Sequence, residues 1–406
     1  MRLSVSTNFD NALLEGLKGT RTTEVYGKLA QDIFGGGRPP FLLPDISREE
    51  IREHVELAHS LGLEFNYLLN GNCMGNLELT DEVYPQIFEE IDWLREIKVD
   101  WVTVSLPFLV DMVKRRAPEI RVDISTFAYV DTFEKAKRFE QMGADRISLP
   151  VALNRNFKLL SLLRNQLTCD LRLLTTSTCL ASCPYRAYHD NCASHLSQTS
   201  YSAKGFPIDY STLKCTEHLV KNPVEVIKAP WIRPEDLHYY EKIGIDNFKI
   251  TERSKTTDAL LEIVNGYNKR RCDGDFARFL NFRNSPGYRK ANIGMIQAWG
   301  KKGPEKKDAP PLNEIIAEYH TLIRAQKIEL DNRELDGFLS YFATSGKDCR
   351  NELCGETCKH CYHYADKALH VVAGSEEAVF AKFEAIFEKI NSAQLYDTEA
   401  CISTRP

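Results

Sequence analysis

The stretches GADRISLP at residues 143–150 and GIDNFKIT at residues 244–251 carry the pattern that decides the fold. Each has a glycine, an acidic residue two positions later, and then a short β-rich run. Variants of the same pattern occur at residues 61–69 and 98–106. Glycine ends a helix in the left-handed conformation, and the run that follows has the composition of a strand. The repeat therefore predicts helices that alternate with strands along the chain.

Eight such β-rich runs lie in the first part of the chain. They are residues 3–7, 24–26, 65–69, 101–106, 121–127, 146–150, 171–176 and 248–251. Helical periodicity separates them, with start signals at Ser47-x-x-Glu50 and Asp131-x-x-Glu134. This alternation predicts an α/β fold, a (β/α)8 TIM-barrel-like domain. An open doubly wound sheet is the alternative, which the lack of a glycine-rich phosphate fingerprint after strand one disfavours.

The chain divides into a barrel domain and a C-terminal extension. Residues 1–270 are assigned to the barrel, with a cysteine-bearing insertion at 178–235 after strand seven, and residues 271–406 to the extension. Within the extension, GKKGPEKKDAPP at 300–311 is interpreted as a solvated connector, with a nucleic-acid-binding arm as the alternative. A helix at about 375–390 has an apolar face that predicts packing.

Composition excludes several classes of protein. The 406 residues are 43% hydrophobic and 27% charged with a net charge of −5, which excludes fibrous and disordered classes. The N-terminus lacks the apolar region of a signal peptide, and no stretch is long enough to span a membrane. A cytoplasmic location is expected. There the twelve cysteines indicate metal or redox chemistry rather than disulfides.

Several cysteines follow barrel strands directly. Cys73 follows strand three, and Cys179 and Cys183 follow strand seven in STCLASCPYR, an insertion that also contains Cys192 and Cys215. Loops at the carboxyl ends of barrel strands meet at one mouth, and all-sulfur ligation favours zinc or an iron–sulfur cluster. The predicted ligands are Cys73, Cys179, Cys183 and Cys215, with Cys192 as the alternative for the fourth position.

A second group, Cys349, Cys354, Cys358 and Cys361, has spacings that are typical of a metal site. Its last three members have the C-x3-C-x2-C spacing of radical SAM enzymes. Those enzymes need a whole barrel after the motif, and a fourth cysteine would close the open iron site. The spacing therefore predicts a closed site that holds a second [4Fe-4S] cluster or zinc.

Other residues are candidates for contact with substrate. Arg186, His189 and His195 in the insertion could bind an anion or relay protons, and Glu252 and Arg253 lie at the rim where strand eight ends. Lys249 points either into the barrel or outward. Residues 35–40, GGGRPP, predict a flexible loop.

These features resemble the collagenase-like peptidase family U32, which includes oxygen-independent ubiquinone-synthesis and tRNA hydroxylation proteins. The likeness covers about residues 1–270 and rests on the strand order, the cysteines after strand seven, and NFKITERS at 247–254. It implies a [4Fe-4S] cluster at the barrel mouth, with Cys179, Cys183 and Cys215 as matching ligands. The C-x3-C-P-Y-R form departs from the family pattern, and the C-terminal cysteines mark a distinct branch.

Three functions follow as hypotheses. The first is an iron–sulfur enzyme that modifies an organic substrate or macromolecule by hydroxylation without molecular oxygen. The second is a peptidase or peptide-binding protein, and the third is a non-catalytic cluster or zinc scaffold for a partner enzyme. The sequence does not distinguish a small-molecule, peptide or RNA substrate, and a partner subunit or redox partner is compatible with each hypothesis.

Overall fold

The computed structural model describes residues 1–199, 209–289, 310–325, 327–371 and 376–392. Eight parallel strands form its centre: β1 Arg2–Ser6, β2 Thr22–Gly27, β3 Glu64–Leu69, β4 Trp101–Val104, β5 Arg121–Ile124, β6 Arg146–Ser148, β7 Asp170–Leu174 and β8 Asn247–Ile250. Each strand pairs with its neighbours in sequence, and β8 pairs with β1 to close the barrel. The predicted barrel is confirmed, and each predicted strand overlaps an observed one.

Helices cover the outside of the barrel and form most of the extension. Those that precede or follow barrel strands are α1 Asn11–Gly16, α2 Arg48–Ser60, α3 Val83–Glu96, α4 Pro107–Arg116, α5 Phe133–Gln141, α6 Phe157–Gln166, α7 Arg186–Leu196, α8 Tyr210–Lys221, α9 Glu225–Lys228, α10 Leu237–Glu241 and α11 Thr257–Lys269. In the extension are α12 Pro310–Leu322, α13 Ser340–Ser345, α14 His360–Ala368 and α15 Glu376–Asn391, with strands β9 Ile328–Leu330 and β10 Leu369–Val371.

The helix boundaries follow from local chemistry. Gly143 and Gly244 have φ values of +103° and +83°, so they end the helices before β6 and β8 in the left-handed conformation. Ser47 and Glu50 form the predicted capping box at the start of α2. The predicted start of α5 at Asp131 is wrong by one residue, because the Thr132 side chain accepts the capping hydrogen bond.

Charged side chains fill the barrel interior. Glu24 on β2 lies 2.7 Å from Arg146 and 2.8 Å from Arg172, and Asp123 on β5 lies 3.1 Å from each arginine. Burial opposes the ionisation of Glu24, but the charges of Arg146 and Arg172 outweigh it and hold the pKa of Glu24 well below its ordinary value. The negative charges of two carboxylates therefore balance the positive charges of two guanidinium groups inside the barrel.

The C-terminal extension packs against the barrel and its insertion. The ring centres of Phe338 and Trp231 lie 5.2 Å apart, and Leu330 and Phe342 belong to the same buried apolar cluster as the barrel. A second cluster joins α8, α12 and α15 through Leu213, Tyr319 and Phe383. The predicted packing role of the terminal helix is confirmed, whereas the domain boundary at residue 270 stays a prediction.

Two features of the sequence analysis fall on other parts of the chain. Residues 300–309 of the connector and Cys401 lie outside the described residues. In the described part of the chain, every helix is too short or too polar to cross a membrane.

Candidate functional site

The segment after β7 places two cysteines in a turn before α7. The backbone N–H of Cys179 donates to Ser177 Oγ at 3.3 Å, and Cys183 follows in the same loop. Arg186, the first residue of α7, donates from Nη1 to Cys179 Sγ at 3.1 Å and from Nε to Asp190 Oδ2 at 3.0 Å. The guanidinium is therefore held between a carboxylate and a sulfur atom.

The thiol of Cys215 on α8 joins this pair. Burial raises the pKa of Cys215 to about 12, and the charges of Cys179 and Cys183 contribute to the rise. Burial also raises the pKa of Cys183, with a smaller contribution from Cys179. Neighbouring thiols oppose each other's ionisation, so their thiolate forms need a cation to neutralise them. Cys179, Cys183 and Cys215 therefore lie near enough to influence one another electrostatically, and their role as ligands stays a prediction.

The other two candidate ligands have different surroundings. The Cys73 carbonyl accepts a hydrogen bond from Gln198 Nε2 at 2.6 Å, and its thiol accepts one from the N–H of Gly75 at 3.4 Å. The thiol of Cys192 hydrogen-bonds the Tyr188 side chain. In the described residues, no hydrogen bond joins either thiol to the other three, so the fourth ligand stays a prediction.

A cavity of about 180 Å³ opens beside Cys179 and Cys215 at the carboxyl ends of the strands. Polar and charged side chains line much of it, and Cys179 and Cys215 lie in its wall. Residues of this wall that enter the argument below are Arg38, His189, Asp209, Thr251, Glu252 and Arg253. A cavity of this size suits a small molecule or the end of a larger one.

Glu252 and Arg253 follow β8 and lie in the cavity wall, as the sequence predicts. Burial raises the pKa of Glu252 to about 6, and its Oε1 has no hydrogen-bond partner among the described residues. Burial, together with the charge of Arg38, lowers the pKa of Arg253 to about 9. Its Nη1 also lacks a partner in the described part of the chain. A buried donor and a buried acceptor thus remain available to a ligand.

His189 takes part in a histidine–carboxylate pair at the same cavity. Its Nε2 lies 2.9 Å from Asp209 Oδ2, and Thr212 donates to the same carboxylate at 2.6 Å. Burial opposes the ionisation of Asp209, but the hydrogen bond and charge of His189 hold its pKa below the ordinary value. Asp209 was not among the predicted site residues, because an aspartate in a polar segment carries no distinguishing pattern.

The loop at residues 35–40 is closely packed, so the prediction of a flexible loop is wrong. Gly35 has a φ of +68°, and a Cβ there would collide with the carbonyl oxygen of Ser194. The N–H of Gly36 donates to Ser197 Oγ at 2.8 Å. This packing against α7 carries Arg38 to the cavity, a residue that sequence reasoning missed.

The C-terminal cysteines also lie together. Cys354 and Cys358 form an isolated β-bridge. Burial raises the pKa of Cys361 to about 11, with Arg155 opposing the rise and the three other cysteines adding to it. Arg155 Nη1 lies 3.9 Å from Cys361 Sγ, so a buried cation from the barrel faces this second group.

The donor chemistry at both groups fits an iron–sulfur cluster. Thiolates are the ligands of such clusters, and each group has an arginine beside a sulfur atom to offset negative charge. Among the described residues, no three His, Cys, Asp or Glu side chains are placed to hold a single metal ion. The predicted cluster and zinc ligands therefore stay predictions.

Comparison with known proteins identifies a matching family model and similar proteins. The pattern of Peptidase family U32 matches residues 42–162. The protein of Methanocaldococcus jannaschii named "Uncharacterized protease MJ1657" is 31% identical over 344 residues, which are 84% of this chain and 87% of that protein. The solved structure of the U32 peptidase Mk0906 is 24% identical and covers 61% of this chain and 92% of its own, with a TM-score of 0.45. The family match and the extent of the likeness to the Methanocaldococcus protein show that the chain belongs to peptidase family U32.

Proposed function

We propose that this chain is an iron–sulfur enzyme that modifies an organic substrate at the barrel mouth without molecular oxygen. The single observation that carries the proposal is the position of Cys179 and Cys215 in the wall of one cavity, with Cys183 near enough to contribute to the raised pKa of Cys215. Cysteine sulfurs that adjoin a ligand-sized space are suited to hold a redox cofactor next to a substrate, because a bound metal stabilises their thiolate forms. A cytoplasmic location, where thiols remain reduced, suits this chemistry.

The residues at this site have the following proposed roles. Cys179, Cys183 and Cys215 would hold a [4Fe-4S] cluster, with a fourth ligand from Cys73 or Cys192. When bound, the cluster supplies one-electron redox chemistry and Lewis acidity. The unpartnered Nη1 of Arg253 binds an anionic group of the substrate.

Proton transfer falls to Glu252 and His189. The pKa of Glu252, about 6, allows it to take up or release a proton near neutral pH. His189 is oriented by Asp209 at 2.9 Å, which fixes the ring for proton transfer on the cavity side.

Anaerobic reconstitution with iron and sulfide tests the proposal. We expect about four irons and four sulfides for each occupied site, and an EPR signal after reduction. Zinc in place of iron at the barrel mouth would contradict the redox function. The control is Cys169→Ser, because Cys169 directly precedes β7, at the end of the strand opposite to Cys179 and Cys183, and the change should leave the iron content unchanged.

The C-terminal group is proposed as a second, closed site that holds either a [4Fe-4S] cluster or zinc. The four short-spaced cysteines and the facing Arg155 support it. Such a site stabilises the extension and could pass electrons to or from a redox partner. Metal analysis distinguishes the two cofactors, because a site that holds zinc contains no iron.

A second candidate function is peptide hydrolysis. The family name and the protease name of the Methanocaldococcus protein favour it, and the His189–Asp209 pair beside thiols resembles part of a hydrolytic site. The raised pKa of Cys215 and of Cys183 opposes it, because a cysteine nucleophile needs a lowered pKa. Incubation with peptides and denatured collagen decides between them, since cleavage that His189→Ala abolishes would support hydrolysis.

A further inference from the structure

The loops that follow β2 and β8 bring two arginines to one side of the barrel-mouth cavity. Arg38 donates from Nη1 to the carbonyl of Gly37 at 2.8 Å and from Nη2 toward the carbonyl of Thr251 at 3.4 Å. Arg253 follows Thr251 by two residues, and both arginines line the cavity. The Arg38 side chain therefore reaches from its own loop to the end of the strand that carries Arg253.

Neither arginine has a carboxylate as its partner. Among the described residues, Arg38 and Arg253 form no ion pair, and Nη1 of Arg253, which is 6% exposed, has no hydrogen-bond partner. Asp32 is already paired with Lys28 at 2.8 Å. Burial and then the charge of Arg38 lower the pKa of Arg253, so the two guanidinium groups are near enough to repel each other. A negatively charged ligand between them would remove this repulsion.

Two other arginines near this cavity have partners within the protein. Arg186 lies 3.0 Å from Asp190 and 3.1 Å from the sulfur of Cys179. Arg283, which also lines the cavity, donates from Nη2 to Thr212 Oγ1 at 3.1 Å. Both therefore serve groups of the protein itself, which leaves the arginines of the β2 and β8 loops for a ligand.

Ser254 supplies a third donor in the same wall. It is 3% exposed, and its hydroxyl has no hydrogen-bond partner among the described residues. The carboxyl group of Glu252 also lines the cavity, and the positive charges that act on it are those of Lys255 and Arg38. Its Oε1 has no described partner. Because a carboxylate repels an anion, a ligand fits here when it turns an uncharged donor, such as a hydroxyl group, toward Glu252.

The barrel interior below the cavity contains more cations than carboxylates. Two carboxylates and two guanidinium groups balance each other there. Lys249, whose direction the sequence left open, points into the same interior, and its Nζ lies 3.8 Å from the centre of the Tyr26 ring. Burial lowers the pKa of Lys249 to about 7, so its charge is complete only at lower pH. This additional cation favours negative charge at the barrel mouth.

We infer that Arg38, Arg253 and Ser254 bind the phosphate group of a small, hydroxyl-bearing phosphomonoester at the barrel mouth. A phosphate monoester has nearly two negative charges and three acceptor oxygens, which match two guanidinium groups and a hydroxyl. A single carboxylate has one charge and two oxygens, so it satisfies fewer of these donors. Loops after strands seven and eight of this fold commonly form phosphate sites. The inference rests on the proposed function only in taking this compound as the substrate, because phosphate binding itself involves no cluster.

Phosphate binding to the full-length protein tests this inference. Isothermal titration calorimetry near pH 7.5 measures the affinity for inorganic phosphate, with malonate and acetate as carboxylate probes. We expect saturable phosphate binding, which Arg253→Gln and Arg38→Gln each weaken about tenfold or more and Ser254→Ala weakens about threefold. Arg116→Gln is the matched control and should leave the affinity unchanged, because Arg116 is an exposed residue of α4 that pairs with Asp92.

Chemical labelling of the wild-type protein is a second test, which needs no variant. Phenylglyoxal modifies arginine side chains, and peptide mass spectrometry maps the modified sites. Inorganic phosphate should slow the modification of Arg38 and Arg253 severalfold but not that of Arg116. Equal modification with and without phosphate would overturn the inference, and so would binding of malonate or acetate as tight as that of phosphate.

The iron content of the same preparations is a separate readout. Phosphate binding in protein that takes up no iron would support this inference and contradict the cluster proposal. Protein that assembles the cluster but binds no phosphate would overturn this inference and leave the cluster proposal standing.

Discussion

The guanidinium of Arg186 donates to the sulfur of Cys179 at 3.1 Å, in the turn that leads from β7 into α7. Arg186 is also paired with Asp190 at 3.0 Å, so it cannot move away without breaking an ion pair. A fixed cation beside a thiol favours the negatively charged state of whatever that sulfur binds. We therefore expect Arg186 to influence the reduction potential of the proposed cluster.

Arg186→Gln should make the reduction potential of the barrel-mouth cluster more negative, by tens of millivolts. Loss of a neighbouring positive charge disfavours the added electron. EPR-monitored redox titration measures the potential. Arg186→Lys is the matched control, because it keeps the charge and should show a smaller change. An unchanged potential in Arg186→Gln would show that the cluster lies elsewhere.

Cys183→Ser should abolish cluster assembly and activity at the barrel mouth while the barrel remains folded. The thiol lies beside the apolar core without being fully buried, and the strands do not depend on it. Visible absorbance after anaerobic reconstitution reports the cluster, and circular dichroism reports the fold. Full cluster absorbance in this variant would contradict the ligand assignment. Cys73→Ser and Cys192→Ser, compared side by side, identify the fourth ligand.

Cys358→Ser should loosen the C-terminal extension rather than the barrel mouth. Metal binding at such a site is coupled to local folding, so loss of one ligand exposes residues 340–371. Limited proteolysis and amide hydrogen exchange over that range detect the change. Removal of the metal from the unmodified protein by a chelator should have the same effect. Protection that is unchanged in both experiments would argue against a metal at this site.

Glu252→Gln should stabilise the protein at high pH and leave it unchanged at low pH. The folded-state pKa of Glu252 is raised from 4.5 to about 6, so the carboxyl group favours folding below pH 4.5. That contribution, about 2 kcal/mol, is lost as the pH rises through 6. Glutamine at this position is neutral at every pH, so the variant keeps its stability as the pH rises. Urea unfolding at pH 5 and pH 8 measures the difference, and equal stability at pH 8 would contradict the raised pKa.

Asp123→Ala should destabilise the protein by about 3–5 kcal/mol, because it leaves two buried guanidinium groups with one carboxylate. Chemical denaturation measures the free energy of unfolding. The control is Asp92→Ala, which removes an exposed partner of Arg116 and should have little effect. A small effect of Asp123→Ala would show that water or Glu24 compensates inside the barrel.

Much of the fold could be predicted because its signals are local. The glycine before each strand takes a positive φ value wherever the pattern contains it, as at Gly62. In the variant of the pattern at residues 98–106, Lys98 occupies the position of the glycine. It adopts the same left-handed conformation, with a φ of 59°. A lysine there has no sequence signal of its own, and the prediction relied on the surrounding pattern.

The site was predicted less completely, because its geometry depends on loops. Cys179 and Cys183 are only four positions apart in the chain, so the sequence identifies them together, whereas Cys215 comes from a separate helix of the insertion. Arg38 was missed because its loop is ordered by packing against α7, a contact between distant segments.

By itself, the sequence determined the eight strands, the order in which they follow one another, and the two groups of cysteines. These depend on periodicity, turn residues and spacing within short segments. Only the tertiary structure decided that Lys249 points into the barrel, that Arg155 faces Cys361, and that Glu24 and Asp123 pair with two arginines. The physical reason is that barrel closure brings distant strands within hydrogen-bonding distance, and local sequence does not specify those partners.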